Sequence, residues 1–242
     1  MIQVFAKEVN SFLNSLIAYM VMGVFLTSMG LLMWVFPETS VLDYGYADMD
    51  TLFSMSPYVF IFLIPAITMK SFAEEKKMGT LELLFTKPLS DIEIIIGKWL
   101  ACFLLVIVAL LPTLVYYFSV SRLGNPVGNV DTPGVIGSYI GLVLLGGVFC
   151  SVGILASSLS SNQIVAFILA AFLCFILYAG FDSVSALWEE GNRSLFVKQF
   201  GMLGHYEALS KGLVDTRDVI YFISLAGVMI LFTKIVIGSR QW

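Results

Sequence analysis

A single histidine, His205, limits the chemistry open to this chain. A metal site of the H-E-x-x-H type needs two imidazoles on one helix face, and a Ser-His-Asp device would have to be built on this one residue. No G-x-S-x-G nucleophile turn occurs. Gly97-Lys98 is followed by Trp99 and lacks the upstream glycine of a phosphate-binding loop. Work driven by a nucleotide would therefore need a second polypeptide. Cys102, Cys150 and Cys174 all fall inside apolar runs and read as small packing residues.

The remaining polar chemistry gathers in two stretches. Residues 70–89 carry charges of both signs yet keep Phe72, Met78, Leu81, Leu83, Leu84 and Phe85, which a plain linker would not need. Gly79 breaks the segment, and Thr80 with Glu82 behind it suits a new helix start, because a carboxylate favours the positive end of a helix dipole. Ser90-Asp91-Ile92-Glu93 has the spacing of a capping box, with Leu89 and Ile94 as its hydrophobic staple. The pattern predicts a short amphipathic helix held between two corners, Gly79 and Lys87-Pro88, which either seals the bundle or acts as a lever for a partner. Residues 182–218 contain Trp188, Leu195, Phe196, Phe200 and Leu203, too apolar for a free loop and too short to span. They predict a re-entrant or interfacial outer hairpin bending near Gly201 and Gly204, with Trp188, Phe196, Phe200 and His205 as candidate outer-gate residues. His205 itself suits either a hydrogen-bonding role or a part in gating.

The elements that must carry these stretches are apolar. The chain is 59% hydrophobic and 12% charged, against about 25% charged residues in an average soluble domain. Six runs are long enough to cross a bilayer, at about 16–36, 52–69, 99–120, 135–156, 164–181 and 219–237, and Lys234 is their only charge. Before them, residues 1–14 place Ile2, Phe5, Val9, Phe12 and Leu13 at helical spacing, which predicts an interfacial helix, a cytoplasmic extension of the first span being the alternative. The expectation is an all-α integral membrane protein, a single membrane domain over 1–242. The first run is too long for a signal-peptide core. With the N-terminus inside, Lys7, Lys70, Lys76, Lys77, Lys87, Lys98, Lys234 and Arg240 face the cytoplasm against Arg122, Arg193, Lys198, Lys211 and Arg217 outside, so both termini are expected to be cytoplasmic. The net charge of -4 disfavours nucleic acid. No acid or base lies deep in a span, which argues against an ion relay. Gly137 and Gly141, extended by Gly146 and Gly147, form a close-packing face with no dimer role implied.

The run Glu74-Glu75-Lys76-Lys77-Met78-Gly79-Thr80-Leu81-Glu82-Leu83-Leu84, followed by Pro88-Leu89-Ser90 and Gly97-Lys98, resembles the permease subunits of type-2 ABC exporters. The resemblance implies that the segment around Phe72 to Phe85 docks on a separate ATPase subunit, with Glu74, Glu75, Gly79, Thr80, Glu82 and Leu83 as the coupling set. ATP and Mg would be bound by that partner and no cofactor by this chain, which would not itself be an enzyme. A second permease half, identical or related, would complete the translocation path within the lipid of a bacterial inner membrane. The stretch from His205 to Asp218 resembles the gliding-motility-associated permease branch, and permeases for maturation of a copper enzyme are similar there. Two other classes compete: a non-transporting scaffold or mechanotransmitter of an envelope machine, with the same six spans, and an integral membrane enzyme, which would need a polar cluster that no span provides.

Overall fold

In the computed structural model the described residues, 1–82, 89–186, 197–212 and 214–239, are helical with short connections and form no strand. Helix α1 (Ile2–Leu13) is followed by α2 (Leu16–Trp34), α3 (Val41–Tyr44), α4 (Asp50–Thr68) and α5 (Lys70–Lys77). Further along the chain come α6 (Asp91–Leu110), α7 (Leu114–Leu123), α8 (Thr132–Leu159), α9 (Gln163–Phe175), α10 (Phe181–Ser185), α11 (Met202–Ser210) and α12 (Thr216–Gly238). Among the described residues six helical stretches are long and apolar enough to cross a membrane: Leu16–Trp34, Asp50–Lys77, Asp91–Leu123, Thr132–Leu159, Gln163–Ser185 and Thr216–Gly238. The expected all-helical, six-span architecture is what the chain forms. Of the outer hairpin, residues 187–196 lie outside the described residues; the part that follows contains helix α11.

Local chemistry starts these helices where the polar residues stand. Asn14 and Ser15 separate α1 from the first span, and Ser15 Oγ accepts the Ile17 amide at 3.2 Å. Ser90 and Glu93 form the expected capping box at α6, each side chain accepting from the other residue's backbone N–H. Asp131, Asn162 and Asp215 cap α8, α9 and α12 through the same kind of bond. Pro112 turns the third span through a 3₁₀ segment, Leu111–Thr113, whereas Pro57 and Pro65 lie within the continuous helix α4.

Helix α8 is the centre of the bundle, buried along most of its length, and its glycines set how closely its neighbours approach. A Cβ on Gly137 would stand 2.3 Å from the Leu209 carbonyl of α11, and one on Gly141 3.1 Å from the Tyr206 ring. Gly146 faces Val106 of α6, and Gly153 faces Thr68 of α4. The small-residue face therefore packs helices of this chain against one another. Tyr206 ties the same region to the second span by donating its hydroxyl to the Phe53 carbonyl at 2.6 Å.

Candidate functional site

The charged stretch that starts at Lys70 begins at an elbow. Helix α4 ends at Thr68, and the chain turns at Met69 into α5. A turn of this kind leaves amides without their helical acceptors. Ser157 of α8 supplies the missing groups: its Oγ accepts the Phe72 and Ala73 amides at 2.9 and 3.0 Å and donates to the Met69 carbonyl at 3.0 Å. Lys76 donates to the Ser158 carbonyl. Phe72 packs with Leu81, Ile94, Ile95, Ile154 and Ile237 in a separate buried cluster, which brings the start of α6 and the ends of α8 and α12 to the elbow. This marks one end of the bundle, where α1 also lies.

Helix α5 stops at Gly79. The Gly79 amide donates to Lys76 O at 3.2 Å and the Thr80 amide to Glu75 O at 3.0 Å, the paired bonds of a Schellman end, and Gly79 has φ +69°. A side chain there is strained by the backbone angle, since the left-handed region suits glycine.

Lys98 holds this end together. Its Nζ donates to Glu8 Oε1 at 2.8 Å, Glu75 Oε1 at 2.9 Å and the Ser71 carbonyl at 2.8 Å, so all three ammonium protons are used. The group is 1% exposed and lies 5.1 Å from the centroid of the Phe72 ring. Lys7 adds a second cation, 3.0 Å from Glu75 Oε1 and 3.4 Å from Glu8 Oε1, so two positive and two negative charges balance. Burial opposes the Lys7 charge, but the hydrogen bond to Glu75 and the charges of Glu8 and Glu75 outweigh it, and the ammonium pKa is raised from 10.5. The neighbouring Gly97 explains how α1 comes so near: its missing Cβ would stand 3.0 Å from Val4 Cβ and 3.2 Å from the Met1 carbonyl. The Gly97-Lys98 pair thus makes room for α1 and then pins it to α5.

The sequence-predicted coupling residues divide by exposure. Glu75 points inward to Lys98 and Lys7, and Leu81 beside the set is buried. Thr80 and Glu74 are half-buried, while Gly79 and Glu82 are exposed together with Lys77 and Met78. Leu83 lies outside the described residues. Glu8 and Lys98 were not singled out by sequence as site residues. The available signal was Glu8 in helical register with Val4 and Phe12, a carboxylate on the buried stripe of α1.

At the opposite end, His205 Nδ1 lies 2.6 Å from Asp218 Oδ1 and Nε2 lies 3.0 Å from the Gln199 carbonyl, with the ring stacked on Tyr221. The Tyr221 hydroxyl donates to the Phe200 carbonyl at 2.6 Å. These contacts join α11 and the residues before it to the first turns of α12. The Phe200 ring is exposed, and Trp188 and Phe196 lie outside the described residues.

Six helices able to cross a membrane, the glycine-lined α8 at their centre, with a charged elbow at one end, place the chain among multi-pass membrane proteins. The family model for the ABC-2 family transporter proteins matches residues 44–238, and the chain belongs to that family. It is a multi-pass membrane component of an ABC transporter, in the permease class. The match leaves out α1 and the first span, so Lys7 and Glu8 complete an ion cluster whose other half, Glu75 and Lys98, lies within it. No curated protein matches the chain.

Proposed function

We infer that this chain is the membrane-spanning permease subunit of an ATP-driven exporter and that α5 with its terminal turn is where a separate ATPase subunit pushes. One observation carries the reading: α5 is fixed on one face by Ser157, Ser158 and Lys98, while Lys77, Met78, Gly79 and Glu82 are exposed at the end of the bundle. A rigid segment with a free polar rim transmits displacement, because a push on it must also move α6 and α8. Glu82 and Lys77 supply ionic contacts to the ATPase, with Glu74 at their edge, and Glu75 acts inside the chain by holding the elbow to Lys98. The ATPase carries ATP and Mg. The Lys and Arg distribution supports placing this end, and both termini, in the cytoplasm of a bacterial inner membrane.

Six spans supply one half of a path, so a second permease half, identical or related, completes it. Native mass spectrometry of the extracted complex should show two six-span subunits with two ATPases; a lone monomer with full transport activity overturns this. The likeness of residues 205–218 to the gliding-motility-associated branch supports a place in that machinery. At the outer end the hairpin acts as the gate, with His205 and Phe200 as its parts and, from the sequence alone, Trp188 and Phe196. A cysteine at position 200 should react faster with a membrane-impermeant thiol reagent during ATP turnover than at rest. Equal rates in the two states would remove the gate.

A further inference from the structure

A cavity of about 340 Å³ lies between α1, the start of the first span and α5, lined among others by Lys7, Lys70, Ser71, Glu74 and Glu75. Its position is set by Ser15 and Ile17, where the first span begins, and Ile67, where the second ends, so it sits where the apolar spans give way to polar chain. Phe12, Ile17, Ile67 and Met78 supply an apolar wall. The polar lining is not satisfied from within. Glu75, 9% exposed, leaves Oε2 without a hydrogen-bond partner, and the buried Ser71 Oγ has none. Lys70 and Glu74, one helical turn apart on α5, make no ion pair among the described residues. Buried polar atoms in such a state are costly unless a ligand or water completes them.

We propose that this cavity binds the head group of a zwitterionic phospholipid with a primary ammonium, a phosphoethanolamine lipid from the leaflet at this end of the bundle. Its phosphate meets Lys70 and the free donor capacity of Lys7. Its ammonium meets Glu74 and supplies the N–H donor that Glu75 Oε2 and Ser71 Oγ lack, while the first methylenes of its chains cover the apolar wall. A quaternary choline head group carries the same charge and no N–H, and an anionic glycerol head group offers no cation to Glu74. The apolar wall and the level of the cavity favour a lipid over a soluble phosphoethanolamine.

The cavity is formed by this chain alone, so its test needs no partner. The full chain is incorporated in nanodiscs of dioleoyl-phosphatidylethanolamine, -phosphatidylcholine or -phosphatidylglycerol mixtures, and retained lipid is read by native mass spectrometry after release. The wild-type chain should retain phosphatidylethanolamine over either competitor by about tenfold, the worth of a charge-assisted hydrogen bond. Glu74→Gln should reduce that preference several-fold while still retaining phosphatidylglycerol, which also reports that the variant is folded. Lys70→Gln should weaken retention of all three. Equal retention of the three lipids by the wild-type chain, an unchanged preference in Glu74→Gln, or displacement of the lipid by equimolar glycerophosphoethanolamine would each overturn the proposal.

Discussion

Lys98 decides the local energetics at the terminal end of the bundle. An ammonium that is 1% exposed survives burial because two carboxylates and a carbonyl take its three protons. Removing one member of such a cluster strands the others. Lys98→Met should destabilise the chain by about 3 to 5 kcal/mol, the cost typical of an orphaned buried charge. Adding Glu8→Gln and Glu75→Gln to Lys98→Met should recover much of that loss, read as thermal unfolding of the detergent-solubilised chain. A triple variant less stable than the single one would contradict the cluster. Lys7 gives the pH dependence. Its folded pKa is raised above 10.5, so its stabilising contribution is complete below the unfolded value and is lost as pH rises through the folded value. An alkaline titration should lower the unfolding temperature of the wild-type chain more than that of Lys7→Met.

At the level of elements, the glycines of α8 determine helix separation. Gly137→Ala brings a Cβ to 2.3 Å from the Leu209 carbonyl, a backbone atom that cannot swing aside. The substitution should cost about 1 to 3 kcal/mol as α11 is displaced. Gly227 of α12 has nothing within 4 Å of its missing Cβ, so Gly227→Ala should be neutral or stabilising by about 0.5 to 1 kcal/mol through helix propensity. Thermal unfolding of the two variants side by side checks the contrast. The capping box at Ser90 and Glu93 and the break at Gly79 were legible because their partners lie within five residues. The spans were legible because about twenty apolar residues in a row have few other uses. The elbow was not, since Ser157 acts on amides more than eighty positions away. Glu75 read as an outward coupling acid because its inward partner Lys98 lies on another helix, 23 positions on.

For the whole molecule, the structure joins the two ends of the bundle through α8. Its glycines hold α11, near the His205–Asp218 pair, at one end, and Ser157 and Ser158 hold α5 at the other. A push on α5 therefore acts on the helix that packs most of the bundle, as the proposed coupling to a separate ATPase requires. A photo-crosslinking amino acid at position 82, placed in the full chain in its native membrane, tests that account most directly, with position 200 at the opposite end as the control. Position 82 should give an adduct that mass spectrometry identifies as an ABC ATPase, and position 200 should give none. Adducts from position 82 that contain only lipid or this same chain, with the ATPase present in the membrane fraction, would contradict it.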